Sequence, residues 1–111
     1  MNAVEISTAT QNSNTELIKN NTPLFDLGNV VMTQGVSHHV NQNNFDQLLR
    51  CLSRHRCGDW GNVGEEDYYT NDESVLHGFR ILSIYELDSE TIWIITEADR
   101  SVTTVLFPIE Y

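Results

Sequence analysis

The chain has 111 residues, enough for one domain around one hydrophobic core and too few for a second domain to form a cleft with it. Hydrophobic residues make up 40% and charged residues 20%, the balance of a folded globular protein and not of a disordered one. With 6 basic against 16 acidic side chains the formal net charge is -10, a field that repels nucleic acid and anionic membranes and attracts a basic protein surface.

Residues 1–22 are rich in Asn, Thr, Ser and Gln and read as a flexible polar leader, which leaves 23–111 as a single domain. Leu24 to Thr33 reads as a first strand, with β-branched Val30 and Val31 and a possible bulge at Gly28. Gly35 to Asn43, with the pair His38-His39, is polar and turn-rich. Asn44 is placed to cap a helix running to about His55, in which Phe45, Leu48, Leu49 and Leu52 share one face. Gly58-Asp59-Trp60-Gly61 reads as a tight turn with an anchored indole. A second helix starts near Gly64, carries Glu65, Glu66 and Asp67 in its first turn, and stops at Gly78. Phe79 to Leu87 and Thr91 to Glu97 then alternate as an antiparallel hairpin across Asp88-Ser89-Glu90, and Val102 to Phe107 makes a last strand. The expected fold is α+β in the order β-α-α-β-β-β, a small antiparallel sheet of three to four strands with two helices on one face.

No apolar run reaches the roughly 18 residues of a membrane span. The first residues lack the charged-then-apolar pattern of a secretory signal, and Cys51 and Cys57 are the only cysteines, which together predict a reducing cytoplasmic setting. Cys57 beside Arg56 is either a thiol with a lowered pKa or a plain, partly buried one.

Chemically capable residues concentrate in two stretches, Arg54 to Asp67 and Thr96 to Thr104. His38, His39, His55 and His77 show no metal-ligand spacing, so no metal is expected, and no phosphate-binding glycine loop or serine nucleophile elbow suggests a cofactor or an acyl-transfer site. Glycines 58, 61 and 64 stand among acids that repel phosphate. A metal-independent nuclease or hydrolase remains conceivable, with Glu97 as the carboxylate base, His55 as the acid, and Arg80 and Arg100 on the phosphate. Against it stands a structural reading, with Glu97 and Arg100 ion-paired between strands and Asp59 and Asp99 holding turns, Arg100 crossing to a carboxylate. A third possibility is a small-molecule binder with a pocket of Trp60, Tyr85 and Trp93.

Leu27-Gly28, Val30-Val31, Thr33 and Gly35, the string RH-x-x-GDWG at 54–61, Asn71-Asp72 and TEADRSVTTVLFPIEY at 96–111 together resemble a family of small bacterial proteins, often called plasmid-related, from plasmids and integrative elements. The resemblance covers residues 24–111, and this chain departs from the pattern by its His38-His39-Val40-Asn41 loop and its longer start. It implies accessory cargo of a mobile element, such as a plasmid function or an integron cassette, and carries over no activity and no site residue. The leading expectation is therefore a non-enzymatic acidic protein that binds a basic macromolecular partner, in a counter-defence or DNA-mimic role. Its expected contact surface is Arg54, His55, Asp59, Trp60, Glu65, Glu66 and Asp67. A homodimer is also conceivable, because exposed strand edges seek pairing.

Overall fold

The computed structural model describes residues 22–111 and, as backbone, Ala3–Ile6. Strands Ala3–Ile6 (β1) and Asn29–Thr33 (β2) precede a short helix Gln34–His39 (α1) and the helices Phe45–Arg56 (α2) and Glu65–His77 (α3). Strands Ile81–Leu87 (β3), Glu90–Thr96 (β4) and Val102–Leu106 (β5) follow, then a 3-10 turn at Pro108–Glu110. The fold is α+β, and the strands lie side by side in the order β1-β2-β5-β4-β3.

Several features differ from the sequence reading, among them the first strand, which begins at Asn29 and not at Leu24, and α3, which lies at the sheet edge and not on its face. The sheet is mixed: β2 runs parallel to β5, while the other pairs are antiparallel. β2 and β5 are separated by three helices and a hairpin, so no tight turn imposes an antiparallel sense on them. The turn-rich stretch after β2 begins as α1, where Thr33 Oγ1 accepts from the Val36 amide and Val36 is wholly buried. Six residues are too few to set up a readable helical period. Within the expected leader, Ala3–Ile6 pairs with β2; residues 1–2 and 7–21 lie outside the described residues.

α2 forms where leucines recur on one face and where Asp46 begins and Arg54 and Arg56 end the helix in favourable dipole positions. It lays Leu48, Leu49, Cys51 and Leu52 on the sheet face built by Val30 and Met32, Tyr85 and Leu87, Ile92 and Ile94, and Val105. Each fully buried leucine contributes about 1.5–3 kcal/mol. Asn44 holds the N-cap position, but its side chain ties back to Asn41 and His39 instead of capping. The β3–β4 hairpin closes through Asp88 and Ser89, both at positive φ (52° and 72°), the pattern of a type I′ turn.

α3 lies along the outer edge of β3. There the Asn71 side chain imitates a strand residue, its Nδ2 donating to the Leu82 carbonyl (2.7 Å) and its Oδ1 accepting from the Leu82 amide (3.2 Å). Next along the edge, the Ile84 amide donates to the Trp60 carbonyl and the Asn62 amide to the Ile84 carbonyl. Gln47 Nε2 then reaches the Glu86 carbonyl. The β3 edge of the sheet is thus occupied by the chain itself.

Candidate functional site

The first dense stretch is a knot that fastens the end of α2 to β3 and α3. Gly58 turns the chain out of the helix at φ 88°, and Asp59 then accepts from the Gly61 amide (3.2 Å) and from Arg54 through both carboxylate oxygens (2.8 and 3.2 Å). The Arg54 guanidinium and the Gly61 amide hold the Asp59 carboxyl below its usual range. Trp60 is fully buried, donates Nε1–H to Asp72 (2.9 Å), and packs against Phe25, His55 and Tyr68. Gly61 bridges to Ile84, and a Cβ there would lie 2.0 Å from the Ile84 carbonyl oxygen, so no larger residue fits.

His55 heads a buried chain of hydrogen bonds whose direction follows from its last member. Thr103 Oγ1 gives its single proton to the Leu27 carbonyl (2.7 Å), so it must accept from Thr96 (2.7 Å). Thr96, its proton committed, accepts from His55 Nε2–H (2.8 Å), and the bare Nδ1 accepts from Ser83 Oγ (2.6 Å). The ring is therefore the neutral Nε2–H tautomer. Burial, aided by the nearby Arg100 cation, lowers its pKa to about 3. Every member of the chain is satisfied, which avoids the cost of about 1–3 kcal/mol that a buried orphan group would carry.

The second dense stretch is also a fastening. Asp99 Oδ1 accepts from the Ser101 amide (3.0 Å) and hydroxyl (2.6 Å), which close a turn around Arg100 at φ 62°. The Arg100 guanidinium binds the carbonyls of Phe79 (2.6 Å), Ser74 (2.9 Å) and Glu97 (3.2 Å) and so ties the end of α3 to the β4–β5 connection. It stands over the Phe25 ring, and its partners are carbonyls, not the carboxylate expected from the sequence. Glu97 pairs instead with Arg80 (3.7 Å), which also donates to the Tyr111 hydroxyl (2.9 Å).

These contacts dissolve the hydrolytic constellation. His55 is enclosed between Ser83 and Thr96, Glu97 and Arg80 pair at the surface, and Arg100 is committed to backbone oxygens, so the four do not converge on one open cleft. The aromatic pocket is likewise absent among the described residues. Trp60 and Tyr85 are core, whereas Trp93 points to the other face of the sheet and packs on Tyr111. Within the expected contact surface, His55 and Trp60 are 0% exposed and cannot touch a partner, because the helix face and the turn that carry them point into the core. Arg54 and Asp59 pair with each other, and Glu65, Glu66 and Asp67 remain exposed. Burial raises the Cys57 thiol above its ordinary pKa and Cys51 to about 11, so neither is a ready thiolate. Among the described residues no group of three or more His, Cys, Asp or Glu is placed to hold a metal ion.

Two concavities flank the start of α3. A cleft of about 280 Å³ is lined by Asp67, Thr70, Asn71, Arg80 and Leu82, and an open depression of about 640 Å³ by Glu65, Glu66, Tyr69 and Thr70. The apolar side chains Tyr69 and Leu76 on the same helix stand exposed. The inward residues prove to be Asn71 and Ser74, and the weak apolar period of this helix was the available signal. Among known proteins, the chain matches no family model, no curated protein and no solved structure.

Proposed function

We propose that this chain is a non-enzymatic acidic accessory protein of a mobile genetic element that binds a macromolecular partner by charge. The partner surface is one rich in Lys and Arg, such as one that ordinarily holds DNA, in keeping with a counter-defence or DNA-mimic role. One observation carries the reading. The residues with catalytic potential are committed to holding the fold, while Glu65, Glu66 and Asp67 stand exposed and take part in no ion pair among the described residues. The net charge of -10 extends that local field over the molecule. The GDWG and TEADRS strings support the mobile-element setting through the family resemblance. No helix of the described residues is long and apolar enough to cross a membrane, which is compatible with a cytoplasmic partner.

The test is a competition. A labelled DNA duplex held by a basic DNA-binding protein is titrated with the full chain at low and high salt. Release of the duplex at low salt, weakened as salt screens the charges, supports the reading. A duplex that stays bound at every concentration of the chain refutes it.

A further inference from the structure

Resting on that reading, we propose that the outward face of α3 is a docking surface for a basic amphipathic helix of the partner protein. α3 is inverted in composition: its buried residues are Asn71 and Ser74, whereas Tyr69 is 68% and Leu76 74% exposed. A helix normally turns its apolar stripe inward. Here the sheet edge takes the polar side, through the hydrogen bonds of Asn71 and the Asp72–Trp60 contact, and the apolar side is left facing out.

The two apolar side chains are seven residues apart, which sets them on one face about 10 Å apart along the helix axis. Glu65 and Glu66 precede Tyr69 by one turn, and Glu73, 3.5 Å from His77, lies one turn beyond it. Carboxylates and a phenol ring around one open depression attract an ammonium or guanidinium group.

Charge selects the occupant. Six acids and no base lie between Asp59 and Glu73, so a second copy of the chain, a nucleic acid or an anionic membrane meets repulsion on this face. A partner helix with two apolar residues at heptad spacing, flanked by Lys or Arg, matches both the apolar pair and the acids around it.

The experiment measures fluorescence anisotropy of a labelled synthetic peptide, with leucines at heptad spacing and lysines beside them, titrated with the full chain. Tyr69→Ser combined with Leu76→Ser weakens binding roughly tenfold or more, and so does Glu65→Gln combined with Glu66→Gln, with unchanged unfolding midpoints. A shuffled peptide of the same composition binds roughly tenfold more weakly than the amphipathic one. If the variants bind as tightly as the natural chain, or the shuffled peptide as tightly as the ordered one, the α3 docking face is overturned and the charge-based reading survives. If neither peptide binds at low salt, both are overturned.

Discussion

α2 and α3 are of nearly equal length, 12 and 13 residues, yet they are held in opposite ways. α2 is attached by apolar burial, with Leu48 and Leu52 fully enclosed against the sheet. α3 is attached by directed hydrogen bonds: Asn71 to the β3 backbone, Asp72 to the indole, and the Ser74 carbonyl to Arg100. Burial is non-directional and uses up the helix's apolar face, whereas hydrogen bonding fixes a helix and leaves its apolar residues free. In a chain with one small core, α3 can therefore be both anchored and available.

The comparison breaks most easily on α2. Leu48→Ala leaves a cavity in the core and lowers stability by about 2–5 kcal/mol, read from urea or guanidinium unfolding. Asn71→Ala leaves the Leu82 amide and carbonyl without their partner at the sheet edge. It costs about 1–3 kcal/mol, and hydrogen exchange locates the loss at Leu82 and α3, with the α2 amides protected as before. Uniform loss of protection across both helices contradicts separate anchoring.

Acid acts on the α2 side of the comparison through His55, which titrates near 6.5 when unfolded and at about 3 when folded. Above 6.5 both states are neutral. Below it the unfolded chain takes up a proton that the folded chain refuses, so stability falls as pH drops from 6.5 towards 3. The slope is about 1.4 kcal/mol per pH unit. Unfolding midpoints at pH 7 and pH 5 check the sign, and a protein equally stable at both is inconsistent with a buried neutral ring. The smallest effect belongs to Leu76→Ser, which changes stability by no more than about 0.5 kcal/mol because the side chain already stands in water. A larger loss in the same unfolding assay means that Leu76 packs against something in the folded chain.

Much of the fold was legible because its signals are local. α2 announces itself by its leucine spacing, the end of α3 by Gly78 in the left-handed conformation, and the hairpin by alternation on either side of Asp88-Ser89. The turn roles of Asp59 and Asp99 were equally readable, since each accepts from an amide two residues on. The site was less legible. His55 and Trp60 are residues of functional type, and composition cannot say whether such a side chain faces solvent or core.

The sequence by itself determined the α+β class, the order of elements from α2 onward and the acidic charge, because these depend on periodicity, turn chemistry and charge along the chain. Tertiary structure alone decided the parallel pairing of β2 with β5, the enclosure of His55 by residues 28 and 41 positions away, and the docking of α3 by Asn71. Each of these depends on partners distant in the chain, and distance along the chain carries no local pattern. Whether α3 shows its apolar or its polar side to water was settled by the unmet hydrogen bonds of a strand edge that begins only after the helix has ended.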